Sequence, residues 1–161
     1  MDPKPSSASR SLLVHWMGVS DTNNAGFVHG GTVLKLADEV AGIAAARHCG
    51  CRVVTGGLDR VTFLNPIDLG EVVTLSASVN AAWRTSMEVG VRVTSERARD
   101  GIVRHTNSAY FTMVAVDADG RPVPVPPLVA ETEEERRRER AAQVRRSNRL
   151  TEREDLLRHP D

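Results

Sequence analysis

NNAGFVHGGTVLKLADEVAGIAAARHC, residues 23 to 49, decides the fold of this chain. From Val33 to Ala46 its apolar residues recur at spacings of three, four and seven, which is the pattern of one helical face. Small residues such as Ala41 and Gly42 widen the apolar surface, and a helix that is apolar around most of its circumference is normally buried. Gly50 is typical of a helix end. The segment therefore predicts one buried helix.

The rest of the chain up to about residue 117 has the two-residue period of β-strands. In residues 73–79 and 87–93, apolar side chains alternate with polar ones or Gly. Residues 12–17, 51–64 and 102–117 are interpreted as three further strands, with segments rich in Gly, Pro, Asn and Asp between the elements. Because no helix separates the last four strands, we expect an antiparallel sheet whose concave face covers the lone helix.

The two ends of the chain differ in composition from this core. Residues 1–11 are polar and contain no apolar run that could serve as a signal peptide or a spanning helix, so we expect a flexible N-terminus on a cytoplasmic protein that does not enter a membrane. We expect the folded domain over residues 12–120. Residues 121–161 predict a Pro-rich connector and a charged helical tail, whose arginines are either solvated or near a ligand phosphate or a neighbouring subunit.

Composition excludes several classes of function. Lys plus Arg and Asp plus Glu are equal at 21 each, so no global field would attract nucleic acid or an anionic membrane. Cys49 and Cys51 are one residue apart, which matches neither a disulfide framework nor a zinc site, and we interpret both as reduced and structural. The five His residues have no paired spacing, so we expect no metal centre.

The start of the helix carries candidate functional groups. Gly30 and Gly31 lie where backbone N–H groups of a helix are unpaired, and they have no side chains that would keep a ligand away. The pair therefore predicts an anion or oxyanion site, although two glycines can also serve only to make a turn. His29 is able to hydrogen-bond at the same place, but the sequence offers it no recognisable nucleophile partner.

Asp38 is the second candidate, because it shares a helical face with small and apolar residues. A carboxylate in such surroundings loses hydration and gains affinity for protons, which suits a catalytic base; a structural Asp that caps loop backbone is the alternative. Glu39 points about 100° away and follows Lys35 by four residues, so we expect these two to pair on the surface. Asn23, in the loop before the helix, either forms a turn or holds a water or a substrate carbonyl.

The sequence resembles the hotdog-fold acyl-CoA thioesterases, specifically the bacterial acyl-CoA thioester hydrolases and the brain-type cytosolic acyl-CoA hydrolases, over roughly residues 12–130. The resemblance rests on residues 23–49 and on three further blocks in the family's order. These are LDRVTFLNPIDLGEVV at 58–73, WRTSMEV at 83–89 and AYFTMVAVDADGRPVPVPPL at 109–128. It implies an α+β hotdog fold, in which an antiparallel sheet of five to six strands wraps one long central helix.

The resemblance also implies a function and a set of site residues. Asn23 and Asp38 match the family's catalytic pair, which two different subunits contribute, so a single-copy chain has to dimerise; the family commonly assembles further as a trimer of dimers. The substrate would be a fatty acyl-CoA, hydrolysed to free acid and CoA without a metal or cofactor. His29, Gly30 and Gly31 would bind the thioester carbonyl. Arg84-Thr85-Ser86 resembles a CoA-contacting turn, or is a plain hairpin.

Two rival functions stay open at this point. A hotdog dehydratase or hydratase acting on 3-hydroxyacyl or enoyl thioesters would typically need a His and a carboxylate working as a pair, which His29 and Asp38 fit less well than they fit hydrolysis. A non-catalytic acyl-CoA sensor fused to a DNA-binding domain would need more chain than the ten or so residues before the first strand.

Overall fold

A 20-residue helix, α1 (Gly30–Cys49), lies against a curled sheet of five antiparallel strands. The computed structural model describes residues 1–160. Its main sheet has the order β2-β4-β5-β6-β3, and the bounds of these strands are β2 Ser11–Trp16, β3 Arg52–Leu58, β4 Val72–Ala82, β5 Ser86–Arg97 and β6 Ile102–Val116. The α+β hotdog architecture expected from the sequence is thereby confirmed.

Side-chain alternation divides the sheet into two faces with different partners. Apolar side chains of β4, β5 and β6 point to the concave face and form the core with α1; Leu75, Val89 and Phe111 are examples, each at most 2 % exposed. The small residues Ala37, Ala41 and Ala44 of α1 are completely buried, which lets the helix approach the strands closely. The convex face carries the polar set, and a second helix covers part of it.

The predicted helix and strand boundaries need three corrections. The helix begins at Gly30 rather than Val33 and ends at Cys49 rather than Ala46, with Gly50 in the left-handed conformation (φ 70°) at its end. The first strand ends at Trp16, one residue earlier than predicted, although the N–H of the buried Met17 still donates to the carbonyl of Glu71 at 3.0 Å. The predicted strand 51–64 stops at Leu58, because residues 59–64 leave the sheet to cover the start of α1.

The expected flexible N-terminus is wrong for residues 4–9. Lys4–Pro5 forms a short strand, β1, that pairs in parallel with β7 (Leu128–Val129) of the Pro-rich segment. Ser6 and Ser9, in the 3-10 turn that follows, are buried, and their hydroxyls bond the backbone of Val79. A polar sequence can be ordered in this way when its hydroxyl groups complete hydrogen bonds that the sheet leaves open.

The charged tail forms the predicted helix, α2 (Glu133–Arg158), but it is not simply solvated. Thr132 and Glu135 form a capping box at its start. Arg145 donates to both oxygens of Glu88, a fully buried carboxylate on β5, with a shortest distance of 2.6 Å. Arg149 joins Glu88 (3.2 Å) to Asp59 (2.8 Å). Ion pairs therefore hold α2 on the convex face.

Within residues 1–160, no helix combines the length and the apolar character that crossing a bilayer requires.

His48, at the end of α1, is fully buried. Its Nε2 lies 2.8 Å from the carbonyl oxygen of Pro126, and its Nδ1 has no partner among the described residues. Burial lowers the pKa of His48 below the ordinary value of 6.5, since desolvation opposes the charged ring; the nearby Lys4 adds to this effect, and the bond to Pro126 opposes it.

We expect His48 to make stability depend on pH. Because its folded-state pKa is the lower one, the unfolded state binds more protons below about pH 6.5, so the free energy of unfolding falls as the pH is lowered from 7.5 to 5. His48→Gln should flatten this slope, measured by urea unfolding at several pH values. Identical slopes for the two proteins would contradict the assignment.

Candidate functional site

A carboxylate and a hydroxyl meet where α1 lies beside the edge strand β3. Thr55 Oγ1 donates a hydrogen bond to Asp38 Oδ1 at 2.5 Å and lies 3.7 Å from the sulfur of Met113. Asp38 is half-buried and Thr55 is exposed. A charge-assisted bond of this kind fixes the carboxylate in one orientation while its other oxygen stays available. A carboxylate held in this way at an open surface has the chemistry that a base or a nucleophile needs.

The backbone of β3 explains why Thr55 is at this position. Its pairing with β6 shifts between Thr55 and Gly57, so that Gly56 is an extra residue in a β-bulge. A Cβ on Gly56 would lie 3.1 Å from Val114 Cγ2, so the close approach of the two strands favours glycine. Thr55 was not among the site residues predicted from the sequence. The Thr-Gly-Gly run inside a strand was the available signal, because glycine inside a strand often marks a bulge or a close approach.

The start of α1 leaves two backbone donors free. The N–H groups of Thr32 and Val33 both donate to the carbonyl of His29, at 3.0 and 3.3 Å. The N–H groups of Gly30 and Gly31 have no partner among residues 1–160. A Cβ on Gly31 would meet nothing within 4 Å, so no other group of the chain crowds this glycine. The positive end of the helix dipole favours an anion or a developing oxyanion there.

Aromatic packing and a polar loop fix the position of these donors. Phe63, in the segment that leaves the sheet, packs on Gly30, where a Cβ would come within 3.2 Å of its ring. The N–H of His29 donates to the carbonyl of Asp21 at 2.9 Å. The Asp21 carboxylate in turn accepts from the N–H of Gly18 (2.8 Å) and contacts His15 (3.1 Å), and these bonds lower the pKa of Asp21. The imidazole of His29 is exposed and caps no backbone group.

Asn23 lies in the exposed turn before α1. Its side-chain oxygen accepts from the N–H groups of Ala25 (2.9 Å) and Phe27 (3.2 Å), which holds the turn together. The amide NH₂ therefore points away from the bonds of the turn, and it has no partner in the described part of the chain. The structure thus shows the turn-forming role of the Asn23 oxygen, while the role of the nitrogen as a donor to a water or a substrate stays a prediction.

One chain does not bring all of these groups together. Asp38 lies eight residues beyond Gly30, which is about 12 Å along the helix axis at ~1.5 Å per residue. No hydrogen bond among residues 1–160 joins Asp38 to His29 or Asn23; its partner is Thr55. Oxyanion donors lie about 3 Å from the carbonyl oxygen and a base lies about 3 Å from the attacking water, so this separation is long for an active site built from one chain.

Arg84 and Thr85 form the two-residue turn between β4 and β5. The N–H of Trp83 donates to the carbonyl of Ser86 at 2.8 Å, and the carbonyls of Arg84 and Thr85 accept from Val125 and Ala115. The backbone of the turn is thus fixed, while the Arg84 side chain is exposed. In the sheet, Ser86 lies opposite Val114, which in turn lies opposite Val54 next to Thr55. The turn and the Asp38–Thr55 pair are therefore at the same end of the sheet, about 10 Å apart across two strands.

The structure also shows the surroundings of Lys35 and Glu39, of the two cysteines, and of the residue types that bind metals. Lys35 and Glu39 are both exposed, but no salt bridge joins them, so the expected surface pair is wrong; two long side chains lose conformational freedom for little gain in water. Cys49 and Cys51 are free thiols whose sulfurs are 3.2 Å apart, and burial raises the pKa of Cys51 to about 11. Residues 1–160 contain no group of three or more potential metal ligands.

The chain resembles known proteins in sequence. The sequence model of the Thioesterase superfamily matches residues 25–102. The cytosolic acyl coenzyme A thioester hydrolase of Rattus norvegicus is 43 % identical over 142 residues, which are 86 % of this chain and 37 % of that protein. The chain thus spans little more than a third of the length of the mammalian relatives that it matches.

Solved structures agree with the sequence relatives. A crystal structure of an apo-hexameric acyl-CoA thioesterase matches with a TM-score of 0.91 at 38 % identity. The match covers 94 % of this chain and 97 % of the thioesterase chain. A Staphylococcus aureus acyl-CoA hydrolase in complex with coenzyme A has a TM-score of 0.92 at 30 % identity, with 98 % and 94 % coverage. Variants of that hydrolase replace an Asn, an Asp and a Thr by Ala, and these three residues have the same spacing as Asn23, Asp38 and Thr55 here.

A double-mutant cycle should detect the bond between Asp38 and Thr55. We expect Asp38→Ala and Thr55→Val to be non-additive in the free energy of unfolding, with a coupling of about 1 kcal/mol, because each change removes the same hydrogen bond. Denaturant unfolding of the two single variants and the double variant measures it. Thr62→Val, at an exposed position that forms no hydrogen bond to Asp38, is the control and should show no coupling. Additivity at Thr55 would contradict the bond.

Proposed function

We propose that this chain, which belongs to the thioesterase superfamily, hydrolyses fatty acyl-CoA to a free fatty acid and coenzyme A. The observation that carries the proposal is the oriented Asp38 carboxylate at an open surface, bonded to Thr55 on the edge strand. Relatives of the chain are described as acyl-CoA thioester hydrolases, and a solved neighbour was crystallised with butyryl-CoA and coenzyme A. The spacing shared with the S. aureus variants supports Asn23, Asp38 and Thr55 as the site residues.

The groups divide the reaction between them. The thioester oxygen accepts hydrogen bonds from the N–H groups of Gly30 and Gly31, which stabilise the negative charge that forms on it. Asp38 either takes a proton from a water molecule that attacks the carbonyl carbon, or attacks that carbon itself to give an anhydride that water then opens. In both routes the carbon–sulfur bond breaks, the sulfur of CoA leaves with a proton, and the acid is released.

Thr55 and Asn23 act as positioning groups in this scheme. Thr55 holds one oxygen of the carboxylate, so that the other oxygen points at the water or the thioester. The NH₂ of Asn23 is free to hold the water or the carbonyl, since the turn uses only the side-chain oxygen. His29 is an exposed group beside the glycines, and its role in this scheme is limited to hydrogen bonding with the substrate. The reaction needs no metal or cofactor, because the CoA group belongs to the substrate.

A second copy of the chain completes the site. Gly31 and Asp38 are too far apart on one helix, so the carboxylate of one subunit has to meet the glycines and Asn23 of another. The unpaired edge of β3 is a suitable contact, because it exposes Val54 (47 %) and Leu58 (40 %), and Ile43 of α1 is 45 % exposed. Edge-to-edge pairing of two β3 strands would satisfy their backbone groups and give a two-fold dimer.

The dimer is the minimal unit that we propose, and a trimer of dimers is the larger assembly. A hexamer is described for the solved thioesterase at 38 % identity. Arg84, with Thr85 and Ser86, would contact the phosphates or the pantetheine of CoA from the same end of the sheet. We place the enzyme in the cytoplasm, in line with the name of its mammalian relatives, and we expect neither nucleic acid nor membrane as a partner.

The rival functions have less support. A dehydratase would typically pair a His with a carboxylate, but His29 is exposed and forms no hydrogen bond to Asp38 in residues 1–160. A non-catalytic acyl-CoA sensor does not need an oriented carboxylate. A thiol-release assay with acyl-CoA substrates of several chain lengths distinguishes the three functions, because only hydrolysis releases free CoA.

Asp38→Asn should lower kcat for thioester hydrolysis at least ~10²-fold, because it removes the base or nucleophile while keeping the size of the side chain. Thiol release measures the rate, and KM should change little. Glu39→Gln is the matched control, since Glu39 is exposed on another side of the same helix and makes no salt bridge. Full activity in Asp38→Asn would refute the mechanism.

Mixing variants tests whether two subunits share the site. Asp38→Asn and Asn23→Ala chains should each be inactive, and unfolding and refolding them together should restore part of the activity, because some mixed dimers contain one intact pair. Light scattering should report at least a dimer. No recovery from verified mixed dimers would put both residues in one subunit.

Arg84→Ala should raise KM for acyl-CoA more than it lowers kcat, because Arg84 would bind a part of CoA that does not change during the reaction. Arg99→Ala is the matched control, since Arg99 is an exposed arginine in the turn at the opposite end of β5. A loss confined to kcat would remove Arg84 from the binding site.

A further inference from the structure

A cavity of about 590 Å³ lies between α2 and the convex face of the sheet. Its floor consists of side chains that alternate with the core residues of β4, β5 and β6, such as Ser76, Arg92 and Tyr110. Asp38 and Thr55 are on the other side of the sheet, where α1 packs. The volume is within the range of small-molecule sites, roughly 300–1,000 Å³. The site proposed for hydrolysis leaves this cavity without a role.

The lining of the cavity has an excess of positive charge. Five arginines border it but only one glutamate, Glu134, and the five are Arg10, Arg92, Arg137, Arg138 and Arg145. Three of them form salt bridges: Arg10 with Glu135, Arg138 with Glu134, and Arg145 with Glu88. Arg92 on β5 and Arg137 on α2 form no salt bridge within residues 1–160. Two guanidinium groups from two different elements therefore line this cavity without a carboxylate partner, and guanidinium groups suit anions.

Two side-chain atoms in the same lining are buried without a hydrogen-bond partner. Asn80 is only 2 % exposed; its NH₂ donates to Glu88 at 3.2 Å, while its Oδ1 accepts from no group. The Nε–H of Arg138 is also buried and donates to no group. Buried polar atoms are rarely left in this state, because the loss of hydration is then uncompensated. An oxygen of an anion would accept from Arg138, and a hydroxyl would donate to Asn80.

The helix that covers the cavity depends on polar contacts. Only Glu135 and Ala142 of α2 are buried, so the helix has no apolar face to dock on the sheet. Its attachment rests on the ion pairs of Arg145 and Arg149 and on stacking, in which Arg145 covers Tyr110 and Arg146 covers Trp83. An anion held between Arg92 and Arg137 would add a further bridge between β5 and α2.

We propose that this cavity binds a small, soluble phosphate-bearing ligand with at least one hydroxyl group, which bridges Arg92 and Arg137 and holds α2 on the sheet. Phosphate matches the guanidinium groups of Arg92 and Arg137. Its oxygens also suit the hydroxyl groups that line the cavity, those of Ser76, Ser78 and Ser108. The ligand does not take part in thioester hydrolysis, because the cavity and the Asp38–Thr55 pair are on opposite faces of the sheet.

Isothermal titration with inorganic pyrophosphate, at constant ionic strength, tests the proposal on the full chain. Arg92→Ala and Arg137→Ala should each weaken binding at least ~10-fold, since each removes a charge-assisted hydrogen bond, and the double variant should show no binding. Arg92→Lys should recover part of the affinity. Arg99→Ala, at an exposed arginine outside the cavity, should bind within about twofold of the parent protein. Melting without ligand verifies that each variant is folded.

Hydrogen exchange gives an independent readout of the bridge. Pyrophosphate should slow amide exchange in α2 of the parent protein and leave α2 of the double variant unchanged. No binding of pyrophosphate, equal binding by the double variant, or the same protection from sodium chloride at matched ionic strength would overturn the proposal. Sedimentation of the protein with phosphatidylglycerol vesicles is a further measurement. If the protein bound these vesicles and pyrophosphate released it, the assignment to a soluble ligand would be overturned.

Discussion

The distance along α1 between its free N–H groups and its carboxylate is the constraint on which the rest of the structure depends. A helix is rigid, so eight residues place Gly30 and Asp38 about 12 Å apart. The mechanism proposed above therefore takes the N–H groups and the carboxylate from two copies of the chain. The proposed second copy requires an open sheet edge, and the edge strand β3 provides one while presenting Thr55 to Asp38. In the proposed mechanism, the catalytic arrangement and the self-association of the chain therefore have the same origin.

The two faces of one sheet separate two sets of interactions. Strand alternation sends the apolar residues of β4, β5 and β6 toward α1, and the intervening residues toward α2. Glu88 lies between two core residues of β5, Met87 and Val89, yet its side chain reaches Arg145 of α2. A buried carboxylate requires such a partner, so the charged tail is part of the folded unit and is not an appendage. The cavity beneath α2 follows from using a polar helix to cover a polar face.

Local geometry sets how open the site is. Gly31 has empty space where a Cβ would be, whereas Phe63 packs on the Cα side of Gly30, and the N–H groups of both glycines stay without a partner in residues 1–160. The bulge at Gly56 lets Thr55 contact Asp38 while the strand stays paired with β6. In Asn23, the turn uses the oxygen of the amide and leaves the nitrogen available. Each of these candidate site residues is thus fixed by a contact on one side and remains accessible on another.

The sequence by itself determined the elements whose signal is periodic or local. The spacing of apolar residues in 33–46 predicted the buried helix, alternation in 73–79 and 87–93 predicted two central strands, and the motif around Asp38 indicated the family. Only the tertiary structure decided which groups contact each other across the chain. Thr55 approaches Asp38 through strand pairing, residues 4–9 are ordered by bonds to β4, and Arg145 reaches Glu88 from 57 positions away. Periodicity reports the environment of a segment, whereas these contacts depend on the register and curvature of distant strands, which no local pattern encodes.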